Sequence, residues 1–467
     1  MLELVVRGGT IVTAEGSFPG EIGIQESLIA AVGSPGMLPP GSRELDATGL
    51  LVLPGLVDPH VHLGHRVFIE GRWVHASDDF WSGTRFAAAG GNTTVIDFAI
   101  QREGDPAATF RARRAEADGK SVVDYSLHVA LTKSSAETID SIPDLIASGV
   151  TSFKLYMIYR KQGRMADDAV LLGTLLEASK GGAIVGVHAE NSPIAEFNID
   201  RAVQLGHTTA SDFARAKPNH VEAEAVNRAL FLAEFAGASL YVFHLSTREA
   251  LEQVERARGR GIRVYAETCT HYLTLTEGVY DRPDGHRYIC SPPLRSAADV
   301  EALWRGIGEG VVSVVSSDHC GFDTTAKDEG RHDFTRVPNG LPGVGVRLPV
   351  LYTYGVRAGR IGLPQLVSLL STNPARIFGL YPRKGAIVPG SDADLVLVDP
   401  SRARVVKAPE LDSPVDWSPY EDMELWGWPV VTVVRGQVVA RDGRCPVSAG
   451  QGQFLERYPL DLGSRTR

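Results

Sequence analysis

Cysteine is scarce in this chain: Cys269, Cys290, Cys320 and Cys445 are the only four in 467 residues. None forms a C-x-x-C pair, which argues against a zinc ribbon or a thioredoxin-like redox site. The simpler expectation is reduced thiols, buried or half-buried, in a cytoplasmic protein. No basic run occurs, and Asp plus Glu outnumber Lys plus Arg, 56 to 47, for a formal net charge of -9. That balance favours solubility and argues against a nucleic-acid partner. No apolar run approaches the ~20 residues that cross a bilayer as a helix, so no membrane partner is expected. Met1-Leu2-Glu3-Leu4 is not the basic stretch that opens a secretory leader, and no such leader is expected. Internal repeats and low-complexity segments are also missing.

What is there belongs to a large globular protein. Hydrophobic residues make up 43% and charged residues 22%, and the length suits one large domain with a smaller one. The first fifty residues read as β, with 4–12 looking like two strands about Gly8-Gly9. After Pro54-Gly55 the rhythm changes. Strand patterns at 56–63, 92–99, 124–131, 151–157, 183–189, 240–245, 263–268 and 311–317 alternate with helical stretches such as 221–237 and 248–260. Eight strands alternating with helices predict a parallel (β/α)₈ barrel. Segments 385–398 and 428–439 read as β again. The two terminal β segments are each too small to bury a core, so they are expected to combine into one sandwich. The expected division is 1–54 and 385–440 for the sandwich, 55–384 for the barrel and 441–467 for a tail that wraps a surface or a neighbouring subunit.

In such a barrel, catalytic groups sit at the C-terminal ends of the strands. Strand one ends in Asp58-Pro59-His60-Val61-His62, and residues two apart on a strand share a face. Strand four carries Lys154 inside an apolar run, strand five ends in His188, strand six in His244 and strand eight in Asp318. Each alone has an ordinary structural reading: a paired lysine, a hydrogen-bonded core histidine, a helix-capping aspartate. Their joint placement at one mouth does not. Four histidines and one aspartate suit two divalent ions better than one tetrahedral site. A protonated lysine would repel such ions. A lysine carbamylated by CO₂ is anionic and can bridge them.

These segments resemble the cyclic amidohydrolases: hydantoinases, dihydropyrimidinases, allantoinases and dihydroorotases. The resemblance spans about residues 2–440. It is carried by Pro54-Gly55-Leu56-Val57-Asp58-Pro59-His60-Val61-His62, Ser152-Phe153-Lys154-Leu155-Tyr156-Met157, Val187-His188-Ala189-Glu190-Asn191 and Glu267-Thr268-Cys269-Thr270-His271-Tyr272-Leu273. Ser291-Pro292-Pro293-Leu294-Arg295, Ser317-Asp318-His319-Cys320 and Val337-Pro338-Asn339-Gly340 are similar to the hydantoinase/dihydropyrimidinase branch. So are Trp417-Ser418-Pro419-Tyr420-Glu421 and Gly427-Trp428-Pro429-Val430.

The resemblance implies hydrolysis of a hydantoin or dihydropyrimidine ring to an N-carbamoyl amino acid. It implies two divalent ions, zinc being the expected one, held by His60, His62, carbamylated Lys154, His188, His244 and Asp318. It implies an oxyanion-holding role for Tyr159, proton transfer by Asp318 and ring contacts from Ser291 and Asn339. A homotetramer or homodimer is expected. The alternatives are allantoinase- or dihydroorotase-like ring opening and a noncatalytic scaffold of the same fold. Three departures stand out. The loop after His62 is long and carries His65, Arg66, Phe68, Arg72, Trp73 and His75. It is expected to line the substrate's exocyclic group. Gly343-Val344-Gly345-Val346-Arg347 lacks the acidic residue that many relatives carry before this arginine, so one supporting contact is expected to be missing. His271 follows the allantoinase/dihydroorotase version of its segment.

Overall fold

The computed structural model describes residues 1–101, 104–133, 135–448 and 450–459. Eight parallel strands form one sheet: Leu56–Asp58, Asn92–Ile100, Asp124–Ala130, Ser152–Tyr156, Ile184–His188, Leu240–Val242, Val264–Cys269 and Val312–Ser316. They pair in chain order. Beyond the last and first strands, Val61 bridges His319 in parallel, and the His62 N–H donates to the His319 carbonyl at 2.7 Å. The sheet therefore curls into the (β/α)₈ barrel that the sequence predicts. Its strands are buried on both faces, which explains their nearly unbroken apolar runs.

The surrounding helices follow the 3.6-residue period. Arg248–Gly259 buries Ala250, Leu251, Val254 and Ala257, and the Thr247 side chain caps its first turn. Inside the barrel, Phe98, Tyr156, Tyr241, Phe243 and Phe378 pack into one aromatic cluster. The terminal β segments join as expected: Leu395–Val405 pairs antiparallel with Leu51–Pro54, which lies beside Leu4–Val12. Among the described residues, no helix is long and apolar enough to cross a membrane.

Five local readings change. Leu4–Val12 is one strand, because Gly8 takes a left-handed φ of 77° and absorbs a bulge without ending the pairing. The first barrel strand stops at Asp58, since Pro59 has no N–H to continue a ladder. Residues 385–394 form turns, and the strand starts only at Leu395. The expected loop after His62 is a β-hairpin, Arg66–Ile69 with Arg72–His75. The tail does more than wrap a surface: Leu455 is fully buried in the barrel's inner cluster. Residues 449 and 460–467 of the expected tail lie outside the described residues. The four cysteines are free and buried.

Helix Phe80–Ala89 ends against the segment that follows the eighth strand. A Cβ at Gly90 would lie 2.5 Å from both the Cα and the carbonyl oxygen of Gly345. Backbone cannot yield as a side chain can. Gly90→Ala should therefore cost about 1–3 kcal/mol of stability. A urea midpoint equal to the parent's would contradict this contact.

Candidate active site

The strand ends converge on a cavity of about 1040 Å³ lined by His62, Lys154, Tyr159, His188, His244, Ser291, Asp318 and Asn339, among others. His60 lies directly beneath. Its Nε2 is 3.2 Å from His62 Nε2, 3.1 Å from Lys154 Nζ and 3.0 Å from Asp318 Oδ1. His62 Nε2 is 3.3 Å from the same Asp318 oxygen. His60, His62 and Asp318 present ligand atoms within 4.8 Å of one another, the geometry of a metal site. The His188 and His244 rings stand alongside, their centroids 4.3 Å apart, and the His244 ring is 5.5 Å from that of His60. All six residues expected to hold metal are thus neighbours, with three of them forming the tight cluster.

The donor set fits divalent cations. His244 Nε2 is buried and has no hydrogen-bond partner among the described residues, a costly state that an ion would relieve. Burial brings His62 down to about 3 and holds His188 and His244 below the usual imidazole range, so these rings are neutral donors. At Asp318 burial works upward, but His60 and His62 beside it hold the carboxyl well below its usual range. Burial pushes the Lys154 amine down to about 8 against the pull of Asp318 and Glu267. Lys154 is 1% exposed, lies over the faces of Phe98 and Phe243, and has no ion pair among the described residues. It is a lysine without the carboxylate that buried lysines require.

Two carboxylates with no role assigned from sequence orient the imidazoles. Glu267 Oε1 accepts from His60 Nδ1 at 2.6 Å, which turns Nε2 toward the cluster. Glu190 Oε2 accepts from His188 Nε2 at 2.7 Å. Glu190 is held in turn by Lys217 Nζ at 3.2 Å and by the Ser291 hydroxyl at 2.8 Å. A charged residue inside the apolar strand Val264–Cys269 was the available signal for Glu267. Lys217 sits before Pro218 in a loop and gave none. His319 is set apart: its Nε2 binds Asp78 at 2.7 Å and its Nδ1 accepts from the Gly343 N–H. The contact expected to be missing at Arg347 is supplied from elsewhere, since Asp58 Oδ2 lies 3.6 Å from Arg347 Nε. His271 is buried near Asp318 and outside the tight cluster, and burial lowers it to about 4.

Tyr159, His244 and Asp318 have left-handed φ values of 70°, 39° and 45°. Such backbone costs on the order of 1–3 kcal/mol per residue and persists where surrounding packing enforces it.

The profile of the amidohydrolase family matches residues 51–439. The chain belongs to the amidohydrolase family. It is 42% identical to a D-hydantoinase of Ralstonia pickettii over 98% of this chain and 99% of that one. It is 38% identical to a D-phenylhydantoinase of Escherichia coli over 98% and 99%. Among solved structures, a dihydropyrimidinase from Brevibacillus agri superposes with a TM-score of 0.94 at 36% identity, covering 100% of both chains. The amidohydrolase resemblance read from the sequence, and its hydantoinase/dihydropyrimidinase branch, are borne out.

Because Glu267 aims the His60 ring, Glu267→Gln should weaken metal retention about 10-fold or more. Metal content after dialysis against a graded chelator reads this. Retention equal to the parent's would remove Glu267 from the support of the site.

Proposed function

We propose that this amidohydrolase opens hydantoin or dihydropyrimidine rings to N-carbamoyl amino acids. The observation that carries the reading is the joint approach of His60, His62, Lys154, His188, His244 and Asp318 at one barrel mouth, in a chain matched over 98% of its length by a D-hydantoinase. Two divalent ions, zinc by expectation, would be held by these six residues, with Lys154 carbamylated by CO₂ as the bridge. Such ions supply Lewis acidity and water that is nucleophilic near neutral pH.

The remaining chemistry falls to side chains. Asp318, ionised and facing the cavity, accepts a proton from the attacking water and delivers it to the ring nitrogen as the C–N bond breaks. Burial and the nearby Glu190 push the Tyr159 hydroxyl up, so it stays protonated and can donate to oxygen charge developing on the ring carbonyl. Ser291 and Asn339 line the same cavity and would hold the ring amide. Glu190 ties Ser291 to His188, so ring contact and metal ligation share one support. The hairpin strands Arg66–Ile69 and Arg72–His75 add Phe68 and Trp73 to the cavity wall, ring centroids 5.3 Å apart. They would meet the substituent on the ring.

A homotetramer or homodimer in the cytoplasm completes the reading. Exposed Ile194, Phe197, Leu205, Phe231 and Phe235 provide apolar surface for self-association. The test is a panel of 5-substituted hydantoins, dihydrouracil, allantoin and dihydroorotate, read by release of carbamoyl product. Turnover confined to the last two would replace the reading with an allantoinase- or dihydroorotase-like one, and no turnover by metal-replete protein would favour a scaffold.

Four substitutions probe the parts. Lys154→Ala should lose metal and activity together, with partial rescue by short carboxylic acids; a fully active variant would sink the bridge. Tyr159→Phe should lower kcat about 100-fold with a smaller change in KM. A raised KM at parental kcat would make Tyr159 a binding residue only. Phe68→Ala or Trp73→Ala should reorder the preference among small, aliphatic and aromatic 5-substituents at constant metal content. An unchanged ranking would make the hairpin structural.

A further inference from the structure

Beneath the site, the barrel floor holds another buried cation that the proposed chemistry does not use, Arg457. The tail reaches it along the strand Asp124–Ala130. The Gln453 carbonyl accepts from Tyr125 N–H at 2.9 Å, and Leu455 N–H donates back to the Tyr125 carbonyl at 2.7 Å. Phe454 packs edge-on against Tyr125 and Phe110. Arg457 follows, 2% exposed and without an ion pair among the described residues. Its Nη1 donates to Ser152 Oγ at 2.8 Å and its Nη2 donates to the Leu127 carbonyl. Ser152 Oγ lies 2.5 Å from His128 Nδ1, and His128 Nε2 lies 2.9 Å from the Pro59 carbonyl oxygen.

The chain of bonds has one direction. A guanidinium only donates, so the serine oxygen accepts from it. The Pro59 carbonyl can only accept, so the imidazole proton sits on Nε2 and Nδ1 accepts from the serine hydroxyl. Pro59 precedes His60. Ser152 is two residues before Lys154 on the same inward face of its strand. The His128 ring also stacks on Phe98 at 4.8 Å, and Lys154 Nζ lies 4.3 Å from the centroid of that same Phe98 ring.

We propose that Arg457 is a positioning residue: through Ser152 and His128 it holds the backbone that presents His60 and Lys154, so the C-terminal tail is part of the metal site's frame. This rests on the reading of His60 and Lys154 as metal ligands. The tail, distant in sequence, thereby couples its own docking to metal affinity.

The test uses the full chain, stripped of metal and titrated with Co²⁺, with binding followed by absorbance and activity followed in parallel. Arg457→Met keeps the apolar stem and removes the donors; Ser152→Ala breaks the middle link while the tail stays docked. Each should bind Co²⁺ about 10-fold more weakly. Each should lower kcat with little change in KM. The double variant should be no weaker than either single, because both cut one chain. Parental Co²⁺ affinity in either folded variant, or losses that simply add, would overturn the proposal. If Arg457→Met fails to fold, Ser152→Ala decides alone. Failure of the parent protein itself to bind Co²⁺ would instead overturn the metal reading, and this inference with it.

Discussion

A lysine amine buried among imidazoles is the constraint on which the site turns. Lys154 Nζ has an imidazole nitrogen at 3.1 Å, three aromatic faces and no ion pair among the described residues. A charge taken out of water without a close counter-ion costs several kcal/mol. Four further side chains, His62, His188, His244 and Asp318, crowd the same point, and protonated imidazoles there would repel the ammonium and one another. Under the proposed function, each of these costs would be relieved by one change, the conversion of the amine to an anionic carbamate together with bound cations. Metal, carbamate and neutral imidazoles would then support one another.

The barrel meets that demand from several directions. Strand ends bring the six clustered residues to one mouth, and Glu267 and Glu190 fix the rings of His60 and His188. Left-handed backbone at Tyr159, His244 and Asp318 is the local cost of aiming those side chains inward. Closure of the barrel is itself part of the site, because the bridge that joins the first and last strands runs through Val61 and His319, the immediate neighbours of His60, His62 and Asp318.

Much of this was legible in the sequence, for identifiable reasons. Parallel strands buried on both faces leave continuous apolar runs, so all eight were placed to within a few residues. His60, His62, Lys154, His188, His244 and Asp318 stood out because polar residues are rare at the ends of such runs. Glu267 and Glu190 were visible as residues but not as partners, since a carboxylate's role depends on which ring lies opposite. Arg347 shows the same limit: its neighbouring sequence suggested a lost contact, yet Asp58 supplies one from 289 positions away. The buried tail depends on tertiary packing and left no local sign; the hairpin after His62 had one, β-formers either side of Glu70-Gly71, which the length of the loop obscured.

The central claim is the carbamate on Lys154. Protein loaded with metal in ¹³C-bicarbonate, with lysines labelled at ¹⁵Nζ, tests it directly by NMR. The account predicts one carbonyl resonance with one-bond coupling to a single lysine nitrogen, lost when metal is removed. Two bound metals and full ring-opening activity with no such coupled resonance would contradict it.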